Sequence, residues 1–488
     1  MTLMTARAAA IAGRHLGCRS VLVCWLVLAS FAEVQAQDES VLRAFVWVTT
    51  PDATRLLTRE DIEFRPDDQT EPRQTTIDVD DTVRFQTIRG FGAAMSDSSA
   101  WLIATRLSSE QRDALMRTLF DPQSGIGISV LRHVAGASDF SLSLYSYDDV
   151  PAGETDELLE RFSIDHDRAY IIPLLQQALA LNPQLSIIGT PWSAPGWMKT
   201  SDSMIGGELR RENYRAYADY LVRYVQSFAA EGVPLAAITP VNEPLFVPAE
   251  YPGMYMDADS QAEFIKTYLG PAFAAAGLST QILIFDHNWD RVDFPIRVLD
   301  DAEAGAFIGG TAFHCYHGQV AEQSVLQERH PDKILLVSEC TGLVGSSFEQ
   351  DLRWVMRNLF IGAVRNWATD ILMWNLALDE TSGPRNGGCM ICRGVVTIDQ
   401  ATGEVNLNLE FYMLAHATFA ARPGAIRVSS PSTPGGIETV AFLNPDGAKS
   451  LLVLNDGAFE ETFKVRWAGL AFSYTLPPGA VATFRWPT

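Results

Sequence analysis

Short apolar runs alternate with longer amphipathic runs through the middle of the chain. The short runs are continuously apolar, which is typical of parallel strands buried on both faces. The longer run Glu212–Gly232 has apolar and aromatic residues such as Tyr217 and Leu221 at helical spacing and ends on glycine. The predicted strands are Ile88–Ala94, Gly127–Arg132, Ser186–Pro191, Ala236–Val241, Gln281–Phe285, Gly310–Tyr316, Ile334–Glu339 and Asp370–Asn375.

The number of predicted strand–helix units indicates the fold. About eight strand–helix units over roughly 300 residues predict a (β/α)8 TIM barrel. A doubly wound sheet would show a glycine-rich phosphate-binding turn, and the sequence has no such motif. The two ends carry short β-like runs and turns, so the predicted fold is an α/β TIM barrel with an accessory β-sandwich built from N- and C-terminal segments. The predicted segments are a signal peptide at 1–36, N-terminal sandwich strands at 37–83, the barrel at 84–423 and C-terminal sandwich strands at 424–488.

The first residues have the pattern of an export signal. Arginines at positions 7, 14 and 19 precede the apolar run Val21–Ala32, and Val34–Ala36 offers small residues for cleavage. A membrane anchor is the alternative, but the run is too short to cross a bilayer and Glu33 follows it. We therefore expect a secreted protein, extracellular or periplasmic, without stable insertion in a membrane.

The net charge of the chain indicates which classes of molecule it can bind. The formal net charge is −22, from 37 basic and 59 acidic residues. Such a chain repels phosphate backbones and anionic lipids, so nucleic acid is excluded as an expected partner. A neutral carbohydrate or glycolipid suits it better, and no feature of the sequence calls for a cofactor or a metal.

Four cysteines follow the predicted signal. Cys389 and Cys392 form a single CxxC in a glycine-rich stretch, which is weak support for zinc and, in an exported protein, favours a local disulfide. Cys315 lies in a predicted strand between His314 and Tyr316, and Cys340 directly follows Glu339. Neighbouring side chains in a strand point to opposite faces. We expect both cysteines to be free thiols packed into the barrel wall.

Two glutamates end predicted barrel strands. The fourth predicted strand runs into Asn242-Glu243-Pro244 and the seventh ends at Glu339. Side chains at the carboxyl ends of barrel strands face one pocket, so both carboxylates can meet across its mouth. Two carboxyl groups that face each other can cleave a glycosidic bond, because one of them protonates the leaving oxygen. A helix cap or a salt bridge is the alternative role of each glutamate alone.

The order of several segments resembles the glucosylceramidase-type glycoside hydrolases of family 30, which also include β-1,6-glucanases. The matching segments are Phe85–Gly92, Leu131–Phe140, Tyr145–Tyr147, Pro191–Lys199, Asn242–Pro244, His314–Tyr316, Ser338–Cys340, Met373–Leu378 and Phe442–Gly447. The resemblance implies a retaining mechanism, with Glu243 as general acid/base and Glu339 as nucleophile.

The resemblance also implies roles for neighbouring residues. Asn242 would bind the sugar 2-hydroxyl, Arg132 and Tyr316 would contact the nucleophile, and His314 would support the acid/base. The residues expected to line the glycone site are Asp139, Trp192 and Trp374. Alternatively, the tryptophans could simply pack in the core, which is the commoner fate of this residue. Arg132 could form a buried salt bridge, and His314 could be a hydrogen-bonded supporting residue. Asp97 and Asp286 also end predicted strands and are expected to be structural or supporting.

The sequence leaves several substrates possible. The expected activity is hydrolysis of β-D-glucosidic bonds, of the glucosylceramidase type, with an endo-β-1,6-glucanase as alternative. The segment Gly383–Asp399 follows the eighth predicted strand and resembles secreted microbial members more than the animal ones, so the group beyond the bond is a lipid headgroup or another sugar. Xylan hydrolysis and a non-catalytic carbohydrate-binding protein are further hypotheses, and the oligomeric state is not predicted.

Overall fold

The computed structural model describes residues 42–68 and 75–487, so the predicted signal peptide lies outside the described residues. The strands before the barrel are β1 (Arg43–Thr49), β2 (Thr58–Glu63), β3 (Arg65–Pro66), β4 (Thr75–Asp78) and β5 (Asp80–Thr87). The barrel region contains β6 (Gly90–Met95), β7 (Val130–Val134), β8 (Ser186–Thr190), β9 (Ala237–Ile238), β10 (Gln281–Asn288), β11 (Ile308–His314), β12 (Ile334–Glu339), β13 (Gly342–Leu343) and β14 (Ala368–Met373). The remaining strands are β15 (Ala377–Asp379), β16 (Cys392–Arg393), β17 (Val396–Ile398), β18 (Val405–Leu407), β19 (Ile426–Ser429), β20 (Ile437–Leu443), β21 (Lys449–Asn455), β22 (Glu461–Trp467), β23 (Leu470–Leu476) and β24 (Val481–Trp486).

Within these described ranges, eight parallel strands close a barrel in the order β6-β7-β8-β9-β10-β11-β12-β14. Their residues are largely buried on both faces, which explains the continuous apolar runs. Gly92 allows β6 and β7 to approach, because a Cβ there would lie 1.7 Å from the carbonyl oxygen of Val130. The fourth predicted strand, Ala236–Val241, is observed only as Ala237–Ile238, since Pro240 has no N–H to donate to a ladder.

Helices surround the barrel. The α-helices are α1 (Asp97–Thr105), α2 (Ser109–Phe120), α3 (Asp165–Arg168), α4 (Ile171–Leu181), α5 (Tyr214–Ala230), α6 (Ala258–Phe264), α7 (Gly270–Ala275), α8 (Asp293–Asp300), α9 (Ala302–Gly305), α10 (Glu322–Arg329), α11 (Phe348–Val355) and α12 (Leu409–Ala420). Short 3₁₀ turns lie at Gly196–Met198, Arg211–Asn213 and Trp289–Arg291, and π-helical segments at Ile265–Leu269 and Met356–Ala363. In α5 the predicted face is buried, including Tyr217 and Leu221. Every helix in the described ranges is too short or too polar to span a lipid bilayer.

Both ends of the described chain build the accessory sandwich. Among the described residues, a seven-stranded sheet has the order β2-β1-β24-β21-β20-β19-β5, and a four-stranded sheet has the order β3-β23-β22-β4. Phe463 and Phe472 of the small sheet pack on Phe484 of the large one. His416 of α12 hydrogen-bonds the side chains of Thr49 and Thr483, which joins the barrel to the sandwich. The predicted fold class is confirmed.

Candidate active site

Glu243 and Glu339 meet at the carboxyl end of the barrel. Glu339 is the last residue of β12, and Glu243 follows β9 with a positive φ of 43°. The backbone N–H of Glu243 donates to the carbonyl of Asp286 over 3.0 Å, which holds this unusual conformation. A carboxylate oxygen of each glutamate lies within 4.8 Å of one of the other. The structure thus brings together two carboxylates that are 96 positions apart in the sequence.

Arg132 and Tyr316 fix the orientation of Glu339. Arg132 of β7 is fully buried and donates to Glu339 Oε2, to Asp286 Oδ2 over 2.8 Å and to Asn242 Oδ1 over 2.7 Å. The Tyr316 hydroxyl donates to Glu339 Oε1 over 2.9 Å. Burial would lower the pKa of Arg132, but the carboxylates of Asp286 and Glu339 raise it. Glu339 therefore has a charge-assisted donor on one oxygen and a hydroxyl donor on the other.

Glu243 contacts two histidines. His314 Nδ1 lies 3.0 Å from Glu243 Oε1, and His314 Nε2 lies 3.1 Å from Asp286 Oδ1. His287 Nδ1 lies 3.6 Å from the same Glu243 oxygen. Burial would raise the pKa of Glu243, but His287 and His314 lower it to about 2. Burial would lower the pKa of His314, but Glu339, Asp286 and Glu243 raise it to about 10. The two pKa values are thus shifted in opposite directions, as expected for an imidazolium that donates a hydrogen bond to a carboxylate.

The predicted glycone residues lie on the other side of the cleft. Trp192 and Trp374 stack with ring centroids 5.0 Å apart, and the Arg132 guanidinium lies 4.8 Å from the Trp192 ring. Both rings are buried, but Trp374 lines the cleft, whereas Trp192 packs against Trp374 and does not line it. Asp139 lines the cleft too, and burial with the nearby charges of Glu339 and Glu243 raises its pKa well above the usual value. A carboxyl beside an indole face suits hydroxyl binding and sugar stacking.

The cleft has a volume of about 540 Å³. Its wall is formed by the ends of β10 and β12 and by segments that follow β7, β9, β10, β11, β12, β14 and β15. The lining residues are Asp139, Glu243, Leu245, Phe246, Tyr251, His287, Asn288, Asp290, Arg291, Tyr316, His317, Glu339, Thr341, Trp374, Cys389 and Cys392. No role in the site was predicted from the sequence for Leu245, Phe246, Tyr251, His287 or Arg291.

An irregularity in β10 explains two of the unforeseen contacts. The prediction ended this strand at Phe285, but the observed strand continues to Asn288 with a register shift between Phe285 and His287. Phe285 and Asp286 both have positive φ. The bulge turns Asp286 toward Arg132 and His287 toward the cleft, and bulges are frequent beside active sites. Neither residue is glycine, so the sequence carries no signal for the bulge, although Asp286 was noted at a strand end.

The prediction for one of the two cysteine pairs was wrong. Cys315 and Cys340, expected as free thiols, form a disulfide with their Cα atoms 5.4 Å apart. Both cysteines are buried, as expected, but they follow the ends of the neighbouring strands β11 and β12, and the pairing of these strands brings them within bonding distance. Cys389 and Cys392 form the local disulfide that the sequence favoured, at the edge of the cleft.

Three candidate metal ligands are close together. Ligand atoms of Glu243, His314 and Glu339 lie within 4.8 Å of one another. Both nitrogens of His314 are hydrogen-bonded to carboxylates, and the raised pKa keeps the ring protonated. A protonated imidazole has no free lone pair, so the set as arranged does not fit a divalent cation.

Comparison with known proteins places the chain in a family. It matches the glycosyl hydrolase family 30 TIM-barrel domain over residues 88–420 and the beta sandwich domain of that family over residues 424–484. It is 35% identical to the endo-1,6-beta-D-glucanase of Neurospora crassa, with 81% of this chain and 86% of that protein covered. It is 31% identical to the lysosomal acid glucosylceramidase of Mus musculus, with 83% and 82% covered.

A solved structure is similar over nearly the whole fold. The structure of an endo-beta1,6-glucanase superposes with a TM-score of 0.85 at 33% identity, covering 91% of this chain and 99% of that chain. The resemblance seen in the sequence is confirmed. The chain is a glycoside hydrolase that belongs to glycosyl hydrolase family 30.

Proposed function

We propose that the protein is a secreted endo-β-1,6-glucanase that acts with net retention, with Glu339 as nucleophile and Glu243 as general acid/base. The spacing of the two carboxylates is the observation that carries the mechanism. Retaining glycosidases separate their carboxyl groups by about 5–5.5 Å, whereas inverting enzymes need roughly 6.5–9.5 Å to admit water. Oxygen atoms of Glu243 and Glu339 within 4.8 Å support direct attack on the sugar.

In the first step, a Glu339 oxygen attacks the anomeric carbon and forms a glycosyl ester while the glycosidic bond breaks. The hydrogen bonds from Arg132 and Tyr316 fix the orientation of this carboxylate. Asn242 accepts from Arg132 through Oδ1, which leaves its amide N–H groups free to donate to a sugar hydroxyl. Such a bond strengthens as positive charge develops at the anomeric carbon.

The leaving oxygen takes the proton shared by Glu243 and His314. That proton rests on His314, and as charge builds on the leaving oxygen it passes through Glu243 to that oxygen. In the second step Glu243 acts as base toward water, which breaks the ester to Glu339 and restores the pair. The low pKa of Glu243 keeps this carboxylate ionised, which is the form that can accept the proton from water.

The comparisons favour a glucan over a glycolipid substrate. Relatives named as endo-1,6-beta-glucanases from three fungi are 33–35% identical, whereas the mouse glucosylceramidase is 31% identical. Glucosylceramide hydrolysis stays the second candidate because of that last similarity. Secretion is supported by the export pattern at residues 1–36 and by the two disulfides, which persist in oxidising compartments.

Hydrolysis of linear β-1,6-glucan by the purified protein tests the proposal, with β-1,3-glucan, xylan and glucosylceramide micelles as comparison substrates. We expect oligosaccharides from β-1,6-glucan, with the β-anomer of the new reducing end appearing first in proton NMR. Glu339→Gln is the control for contaminating activity. Early appearance of the α-anomer would refute retention, and preferential turnover of glucosylceramide would replace the glucanase assignment.

A further inference from the structure

We propose that sugars on the leaving-group side bind in an aglycone groove, defined by Leu245, Phe246, Arg291 and Arg297. This inference rests on the proposed function and adds the residues that select chain length. It places binding sites for at least two sugars beyond the scissile bond. The groove begins at the main cleft and continues into a second hollow of about 200 Å³.

The position of Glu243 gives the direction of the groove. The glycone side is marked by Asp139 and Trp374, which belong to the loop after β7 and to the residue after β14. The leaving oxygen must lie beside Glu243, the group that protonates it. Leu245 and Phe246 lie two and three residues after Glu243 and line the same cleft, so the leaving sugar passes over them.

The main cleft and the second hollow share part of their wall. Leu245 and Arg291 line both the main cleft and the second hollow, so one wall continues from the first into the second. The other lining residues of the second hollow are Tyr255, Asp257, Ala258, Asp259, Asp293, Phe294 and Arg297. A hydrolase that accepts a single sugar and a small leaving group has no need for this extension.

Phe246 supplies an apolar platform at the start of the groove. It is 48% exposed although it is a large apolar residue, and it lies in the cleft wall. Its backbone N–H donates to the carbonyl of Glu243 over 2.8 Å, so its position is tied to the acid/base. An exposed ring held beside the proton donor suits stacking on the first leaving sugar.

Paired charges supply the polar wall. Arg291 donates to both oxygens of Asp293 over 3.0 and 3.1 Å, and Arg297 donates to both oxygens of Asp259. These pairs are fixed in bidentate geometry and cancel in charge. Asp257 also lines the second hollow, so the wall carries a small net negative charge together with many hydrogen-bonding groups. Such a wall suits a neutral hydroxylated chain rather than an anionic ligand.

Kinetics on β-1,6-linked glucose oligomers of two to six units test the groove, with β-glucosyl fluoride as a substrate that has no leaving sugar. For the wild type we expect kcat/KM to rise with chain length. Phe246→Ala and Arg291→Ala should each lower the ratio of kcat/KM for the hexamer to that for glucosyl fluoride by about tenfold. Arg297→Ala should lower the ratio only for oligomers longer than three units.

Matched controls come from outside the groove. Phe459→Ala removes an 81% exposed ring of the sandwich, and Arg329→Ala removes an exposed bidentate pair with Asp300. Both should keep the wild-type ratio. A wild-type rate that does not depend on chain length, or unchanged ratios in the Phe246 and Arg291 variants, overturns the groove while the proposed function stands. Absence of any hydrolysis by the wild type overturns both.

Discussion

Cys315 and Cys340 form a disulfide that joins the residue before Tyr316 to the residue after Glu339. It connects the ends of the neighbouring strands β11 and β12, where the Tyr316 hydroxyl donates to Glu339 over 2.9 Å. The bridge therefore fixes the two backbones that carry this hydrogen bond. Placement of a nucleophile within a fraction of an ångström is worth a measurable part of the rate.

Removal of this disulfide should affect catalysis through Tyr316. We expect Cys315→Ser/Cys340→Ser to lower kcat by about tenfold and the free energy of unfolding by about 2–4 kcal/mol. Steady-state kinetics and urea unfolding measure both effects. In a Tyr316→Phe background the same change should cost little further kcat, and a full additional tenfold loss there would show that the bridge acts by another route. Cys389→Ser/Cys392→Ser is the matched control disulfide.

Glu339 and Glu243 should differ in how their loss can be repaired. Glu339→Gln should lower kcat by about 10⁴-fold or more, since no other group forms the ester. Glu243→Ala should lower glucan hydrolysis by about 10²–10⁴-fold, yet azide should restore turnover of substrates with activated leaving groups. Product analysis by NMR should then show a β-glucosyl azide. An α-glucosyl azide from the Glu243 variant, or a β-glucosyl azide from the Glu339 variant, would reverse the two assignments.

His314 should set the alkaline limit of activity. The proton shared with Glu243 is retained until alkaline pH because the pKa of His314 is raised to about 10 by Glu339, Asp286 and Glu243. In His314→Gln the remaining carboxyl loses its proton at lower pH, so the basic limb of kcat/KM should move to lower pH. Glucosyl fluoride needs no proton donor, and its profile should keep the basic limb unchanged. Equal displacement of both profiles would indicate a structural effect of the substitution.

Arg132 should be necessary for the fold as well as for the site. Arg132→Met leaves Asp286 and Glu339 buried without their main cation, which should cost about 3–5 kcal/mol in the free energy of unfolding. Arg132→Lys keeps the charge and should lose less. Urea titration measures both, and a loss below about 1 kcal/mol for Arg132→Met would contradict the electrostatic role.

The ion pair between Arg132 and Asp286 should also make the stability of the fold sensitive to acid. Burial would raise the pKa of Asp286, but Arg132 and His314 lower it below the usual value of 3.8. A lowered pKa contributes stability above the unfolded value, and this contribution is lost as the pH falls below 3.8. Between pH 5 and 2, Asp286→Asn should therefore lose less of its remaining stability than the wild type. Parallel curves of melting temperature against pH would exclude Asp286 as the source.

Much of the site could be predicted because it lies at strand ends. Continuous apolar runs located the barrel strands, and the polar residues that stop them, such as Asn242 and Glu339, lie at the pocket. The roles of Arg132, Tyr316 and His314 came from the family resemblance, and the structure gives each the expected neighbour. These contacts support the assigned roles, which catalysis by the variants would test.

The sequence by itself determined the layers and the strand order of the barrel, because burial on both faces imposes an unbroken apolar pattern. It also determined the two carboxylates, which stand where two of these apolar runs end. Only the tertiary structure decided the Cys315–Cys340 bridge, the turn of His287 into the cleft and the joining of Phe246 to Arg291 along one groove. These depend on backbone irregularities past the strand ends and on loops from different strands. Such contacts are long-range, so no local periodicity records them.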